Sequence, residues 1–548
     1  MSASAPSDSD PRWPAAELRL ETHFDGRSML CYRDRAPNLQ RMIDSACASR
    51  LDQTALVDGE VQMSWRELHE LGARLATGLQ AQGLRPGDRA VLVMGNHAGF
   101  TIALLALLRL GVVAVPVSIR EAAPGIAYIL GQCQAASLLA DPLVMQRLDD
   151  SPASAHPCVR VCMEDTAWPA PLCAGWLSGQ ALRQCAPWAD TADPPEEAPA
   201  VILYTSGTTG RPKGAILTHL NLVHSVMHYR HALRLDAHDR ALLAVPASHV
   251  TGLVAIVLAM AGVGGCTVML REFKALQCLK VLQEQRITYT LMVPAMYALC
   301  LREPALASTQ LNAWRLAGFG GAPMPPATIA ALRAQCPEIR LFNAYGATET
   351  TSPTTLTPPD STQVDRVGIA LPCAQVRVVD DDGHDVPVGQ SGEVWIAGPM
   401  VVPGYWDNTQ ATATGFQAGY WKSGDIGTLD DQGFLQVHDR KKDMINRGGY
   451  KVFSVEVENC LMAHPQVQEA ATVGVPCPVL GERTHAFVYA PQGESPDALR
   501  ASLSDWCKAR LADYKVPDAW TWLAQPLPRN ANGKVIKTAL REQALGPS

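Results

Sequence analysis

A chain of 548 residues, 47% hydrophobic and 18% charged, is long enough for several average domains and apolar enough to bury a sizeable core. A formal net charge of -7, with no run of five basic residues, argues against a protein that tracks nucleic-acid phosphates. Fifteen cysteines without a Cys-x-x-Cys pair exclude a zinc ribbon and fit buried thiols in a reducing cytosol.

In chain order, residues 1–28 are expected to form a disordered tail. Met1 to Pro14 is rich in Ser, Ala, Asp and Pro, and lacks the basic start and apolar stretch of a signal peptide. Apolar residues at helical spacing predict an amphipathic helix over 65–82. A turn at 83–88, a strand at 89–94, a buried helix at 103–110 and a strand at 112–117 follow. This alternation predicts an α/β fold with parallel-rich sheets covered by helices. Residues 151–200 have the composition of a loop, and an abrupt apolar strand at 200–204 ends it.

The 21 uncharged residues 250–270 meet the length of a membrane span. Four glycines break the stretch, which reads better as a helix at 253–261, a glycine turn and a strand at 266–270. No integral membrane segment is expected. Short strands and tight turns over 368–398 predict a small β subdomain, and a charged junction at 439–443 precedes a separate C-terminal domain. The expected division is therefore a tail (1–28), a large N-terminal domain (29–438) and a small α+β domain (439–548).

The strongest local signal is the stretch from Tyr204 to Gly214, which packs Thr205, Ser206, Gly207, Thr208, Thr209, Gly210 and Lys213 just after a strand. Backbone N–H groups, hydroxyls and a mobile cation in one loop suit phosphate oxygens. The spacing is not that of a Walker A loop.

This loop resembles the phosphate-binding loop of the adenylate-forming superfamily, which includes acyl-CoA synthetases, luciferases and peptide-synthetase adenylation domains. The superfamily's other motifs follow in order. Gly320-Gly321-Ala322-Pro323 resembles its small-residue turn against adenosine. Asn343-Ala-Tyr-Gly-Ala-Thr-Glu-Thr350 resembles its adenine and metal motif. The resemblance implies that Tyr345 stacks on adenine beside Gly346, Thr348 bonds the α-phosphate and Glu349 ligates Mg2+.

Tyr420 to Asp425 resembles the ribose motif, with Asp425 accepting from the ribose hydroxyls. Asp439 to Ile445 resembles the interdomain hinge, with Arg440 near ribose or phosphate and Lys442 as pivot. Pro528 to Lys534 resembles the terminal motif, whose lysine reaches the α-phosphate. Gly404-Tyr405 is a lesser match. Pro246-Ala-Ser-His249 resembles an element beside the acyl pocket, which assigns His249 to carboxylate positioning or gating. Gly448 and Gly449 would line a tunnel for the pantetheine arm. Ser454 stands where many relatives have proline, a departure that bears on the backbone beside that tunnel.

The resemblance implies a cytoplasmic acid:CoA ligase that uses ATP, Mg2+ and coenzyme A, with a mobile C-terminal domain. Its acid would be apolar, because segments 249–257, 318–322 and 346–354 carry no charge besides His249 and Glu349. A medium- or long-chain fatty, aryl, alicyclic or steroid-derived acid all remain open. An acyl-AMP ligase that loads a carrier protein, a peptide-synthetase adenylation domain and a non-catalytic acyl-adenylate or CoA sensor are the alternatives. A homodimer is compatible with the sequence, which is silent on assembly.

Overall fold

The computed structural model describes residues 10–149, 151–163, 171–205, 211–359, 361–491, 496–529 and 535–545. The chain divides into two compact units. The first holds residues 1–376 and 396–422; the second holds 377–395 and 423–548.

Two large sheets dominate the first unit. One has seven strands in the order Lys213–Thr218, Pro199–Thr205, Val113–Val117, Arg89–Val93, Ser137–Ala140, Val159–Cys162 and Leu177–Ser178. It is parallel except where the first two strands pair. The second has nine strands, whose centre runs parallel through Arg340–Tyr345, Leu316–Gly320, Tyr289–Met292, Arg240–Leu243, Cys266–Met269 and Thr54–Asp58.

The helices follow their sequence logic. Trp65–Ala81 starts at a capping box between Ser64 and Glu67 and buries Leu68, Leu75 and Leu79 along one stripe. Ala98–Leu110 is buried nearly all round, as its uninterrupted apolar run requires. It begins five residues before the expected start because His97 caps it, its Nδ1 accepting from the Gly99 N–H at 3.1 Å.

The apolar stretch 250–270 is indeed a helix, a turn and a strand. Its first part, Thr251–Leu258, winds with π-type hydrogen bonding before the α-helix Ala259–Val263 and the strand Cys266–Met269. Among the described residues no helix is long and apolar enough to cross a membrane.

The tail expectation needs correction. Leu18–His23 and Arg27–Tyr32 form an antiparallel ribbon, and Trp13 is buried with its indole N–H on the Ala370 carbonyl at 2.8 Å. A polar leader hid this ribbon, whose anchors are distant. Arg35, for example, bridges Glu21 and Glu196 at 2.7 and 3.0 Å.

Two further sheets fall mainly within the second unit's residues. One pairs Gly392–Ala397 with Tyr420–Leu429, flanked by Gln375–Val379 and Leu435–Arg440. In the other, Gly481–Tyr489 pairs with Glu469–Cys477, Ile445–Arg447 and Ala519–Leu523. Alternate residues of these strands serve opposite cores. Ala470, Ala486 and Val488 meet Val457, Leu461, Leu499 and Leu503, whereas Ala471, Val473 and Phe487 meet Leu527 and Leu540.

Candidate active site

In open α/β sheets, ligands collect beyond the carboxyl ends of the strands. Most expected site residues of the first unit sit there. Tyr345 ends the strand Arg340–Tyr345, and Gly320 ends the neighbouring Leu316–Gly320. These two strands approach closely at glycines. A Cβ on Gly318 would lie 2.2 Å from the Phe342 ring, and one on Gly320 would lie 2.4 Å from the Ala344 carbonyl oxygen. Gly321 follows with φ +76°, a left-handed backbone that favours glycine, and it is exposed together with Ala322.

Beyond Tyr345, Gly346 is exposed and the chain tightens into a 3-10 turn, Thr348–Thr350. Thr348 is half-buried, and Glu349 is only 8% exposed. Thr351 and Ser352 then adopt φ of +51° and +36°. Left-handed backbone at a β-branched residue is strained, and such strain clusters at functional turns. The Ser352 hydroxyl is held by the buried Tyr229 hydroxyl at 2.8 Å.

Thr205 and Lys213 are direct partners across the antiparallel pair Pro199–Thr205 and Lys213–Thr218, so the ends of the hydroxyl-rich loop are pinned. Thr205 also donates from Oγ1 to the Lys213 carbonyl at 3.5 Å. Ser206, Gly207, Thr208, Thr209 and Gly210 lie outside the described residues, as does Lys534.

His249 is half-buried in the turn before Thr251–Leu258, and its Nδ1 accepts from the Thr251 N–H at 3.3 Å. That turn is tight, because a Cβ on Gly252 would lie 2.2 Å from the Pro246 carbonyl oxygen.

A residue given little weight in the sequence connects these parts. Tyr405 donates its hydroxyl proton to Glu349 Oε1 at 2.9 Å, and the Lys213 ammonium lies 5.4 Å from the centroid of its ring. Burial and the adjacent Glu349 carboxylate both push the Tyr405 phenol upward from its ordinary pKa, burial more strongly. Its backbone bridges to Ala215, the Trp406 N–H donates to the Gly214 carbonyl at 2.7 Å, and the Val402 N–H donates to the Glu349 carbonyl at 3.0 Å. Gly404-Tyr405 was the only sequence signal for this segment. Its 56-residue separation from Glu349 hid the contact.

The second unit carries its own set. Asp425 and Arg440 are partners across adjacent strands, with Arg440 Nε 2.7 Å from Asp425 Oδ1. The Asp425 side chain is nearly buried, whereas that of Arg440 is 45% exposed. Lys441 pairs with Asp381 at 2.8 Å and Glu393 at 3.2 Å. Thus two cations of the basic cluster have acidic partners within their own unit.

Lys442 is exposed, and its carbonyl accepts from Arg541 at 3.0 Å. Gly448 and Gly449, with φ of +60° and +90°, are the two loop residues between the paired strands Ile445–Arg447 and Tyr450–Val452. A two-residue hairpin loop of this twist requires positive φ at both positions, which accounts for both glycines locally.

Ser454 opens the helix Ser454–Met462, and its N–H and hydroxyl both donate to Asp439 Oδ2. Proline could not supply that N–H. Lys537 donates to the Ser454 hydroxyl oxygen at 2.6 Å and pairs with Glu458 at 2.7 Å. Burial raises the Glu458 pKa, and the Lys537 ammonium offsets part of that rise.

The α/β fold, with a large and a small domain, is that of the adenylate-forming enzymes. Residues 43–406 match the family described as AMP-binding enzyme, and residues 456–534 match the AMP-binding enzyme C-terminal domain. A feruloyl-CoA synthase of an Amycolatopsis species is 34% identical over 500 residues, covering 89% of this chain and 96% of its own. An indoleacetate–CoA ligase of Aromatoleum aromaticum is 32% identical, covering 92% and 98%. Among solved structures, ATP-bound MatB from Rhodopseudomonas palustris aligns with a TM-score of 0.84 at 29% identity, covering 93% of this chain and 99% of that one. The chain belongs to the AMP-binding enzyme family. Within it, the chain is an AMP-forming acyl-CoA synthetase by class.

Proposed function

We propose that the protein activates an apolar monocarboxylic acid with ATP and transfers the acyl group to the thiol of CoA. One observation carries the reading. The Glu349 carboxylate and the Lys213 ammonium both rest on Tyr405, and among the described residues neither forms an ion pair. A site that must receive a polyphosphate and its counter-ion needs one cation and one carboxylate kept available in this way. Glu349 suits Mg2+, because it offers a hard oxygen in a nearly buried turn with a neutral hydroxyl as its side-chain partner. Bound there, Mg2+ would supply charge neutralisation between phosphates.

The chain's own groups then divide the work. The donors at 205–210 and Lys213 hold the β- and γ-phosphates as a leaving group. Thr348 donates to the α-phosphate, and Tyr345 stacks on adenine over the turn at Gly321, Ala322 and Gly346. Asp425 and Arg440 hold ribose and phosphate oxygens. His249 orients the acid. A carboxylate oxygen attacks the α-phosphorus, the bond to the β-bridging oxygen breaks and pyrophosphate departs. Lys534 neutralises the charge that grows between the carboxylate and the α-phosphate. In the second half-reaction the C-terminal domain turns about Lys442, and the thiol enters past Gly448 and Gly449. Its sulfur gives up its proton to solvent and attacks the acyl carbonyl, and AMP leaves with the electron pair of the broken C–O bond.

The acid is apolar because segments 249–257, 318–322 and 346–354 carry no charge other than His249 and Glu349, and a second carboxylate would call for an arginine. Relatives named for feruloyl and indoleacetate add weight to an aryl acid. Fifteen cysteines, with no disulfide among the described residues, suit a reducing cytoplasm.

A panel of aryl, alicyclic and fatty acids, scored for pyrophosphate release with and without CoA, tests the reading. The expected result is acid-dependent release with acyl-CoA as product. Release without acyl-CoA would overturn the CoA step in favour of a carrier-protein acceptor. Binding of acyl-adenylates without any turnover would overturn catalysis in favour of a sensor.

A further inference from the structure

We propose that Tyr405 is a positioning residue for the adenylation step. It is a neutral bracket that touches both the acidic group for the divalent ion and the cation of the phosphate loop, neither of which forms an ion pair among the described residues. The inference rests on the assignment of Glu349 and Lys213 to metal and phosphate.

Three observations carry it. The Tyr405 hydroxyl spends its proton on Glu349 Oε1 at 2.9 Å, which fixes the rotation of the carboxylate without neutralising it. The face of the same ring attracts the Lys213 ammonium at 5.4 Å, which holds the cation by its quadrupole without giving it an anion. The backbone on either side is tied to both partners. Residues 404–406 pair with the strand that begins at Lys213, and Val402 bonds the carbonyl of Glu349.

An aliphatic side chain at 405 would leave the lysine and the glutamate to find each other. A lysine–carboxylate pair formed in a nearly buried turn would have to be broken before nucleotide entered. The tyrosine thus maintains two opposite charges in a ready state.

The test uses the full-length protein with ATP and Mn2+ as the probe, with bound ion read by electron paramagnetic resonance and no acid or CoA present. Tyr405→Phe keeps the ring and loses only the hydroxyl. It should weaken Mn2+·ATP binding about tenfold, the ordinary cost of one hydrogen bond to a charged group. Binding of ATP alone, measured in EDTA by calorimetry, should stay unchanged. Tyr405→Leu also removes the ring, and should weaken metal-free ATP binding by a further factor of about three. Thermal melts establish that each variant folds; if the leucine variant does not, the phenylalanine variant decides alone. Wild-type Mn2+·ATP affinity in Tyr405→Phe would overturn the proposal, as would equal losses with and without metal. A wild-type protein that binds Mn2+·ATP but turns over no acid would sink the ligase reading and leave the bracket standing.

Discussion

The two charged clusters of this protein are built on opposite plans. In the first unit, Glu349 and Lys213 share a tyrosine and, among the described residues, have no ionic partner. In the second, Asp425 holds Arg440, Lys441 holds Asp381 and Glu393, and Lys537 holds Glu458. Removing one member of a nearly buried ion pair leaves the other charge costly, whereas removing a charge that was never paired relieves a cost. On the proposed reading, the first plan keeps charge available for a ligand at a cost in stability. The second uses charge to hold strands and helices together, so any ligand met there must exchange partners with the protein.

Substitutions can break this contrast. The largest effect is expected outside both clusters, at Lys534. Lys534→Ala should remove about 3 kcal/mol or more of transition-state stabilisation from acid-dependent pyrophosphate exchange, comparable to losing an oxyanion donor. Thioester formation from supplied acyl-adenylate should be largely spared. Equal loss of both half-reactions would contradict a lysine that serves adenylation alone.

Next comes Lys537→Met, which strands Glu458 in a buried position. Unfolding of the second unit by urea should become easier by about 3 kcal/mol. Because burial raises the pKa of the Glu458 carboxyl, part of that loss should return as the pH is lowered. A variant as stable as the wild type would show that the pair contributes nothing.

Glu349→Gln should do the reverse. Acid-dependent pyrophosphate exchange should slow, its barrier rising by about 2 kcal/mol, on the scale of a charge-assisted contact, while the melting temperature holds or rises. A clear drop in melting temperature would refute the idea that this carboxylate is held at a cost.

The smallest effect concerns the histidine-rich helix His219–Leu233. Burial depresses His219 and His228 to about 4 and His224 to about 3. Their folded-state values lie below the unfolded value of about 6.5. The stability they contribute is therefore complete above pH 6.5 and is lost as the pH falls towards 4. Each should add up to about 1.4 kcal/mol per pH unit to the acid slope. His228→Gln, which keeps a donor for the Pro372 carbonyl, should make melting curves between pH 6.5 and 4.5 less pH-dependent. An unchanged slope would mean that His228 titrates normally.

The glycine pairs have a local structural reason beside any functional one. Gly448 and Gly449 read as a tunnel wall, yet the two-residue hairpin turn demands both of them. Gly318 and Gly320 read as part of the acyl and adenosine surround, and the structure adds a reason internal to the sheet, namely the crowding of Phe342 and Ala344. Ser454 looked like a departure of purely local interest. It proves to be the junction between Asp439 and Lys537.

The family was legible in the sequence, because its motifs are short runs whose residues lie within a few positions of one another. The alternation of strands and helices was legible for the same reason, through its period. The ribbon at 18–32 escaped, because a two-stranded element in polar surroundings has little periodic signal and its anchors lie far along the chain. Only the tertiary structure decided which charges are paired and which are kept apart. Glu349 meets Tyr405 across 56 residues, and Ser454 meets Lys537 across 83. Electrostatic energy depends on separation in space and on burial, and a linear sequence specifies neither until the chain has folded.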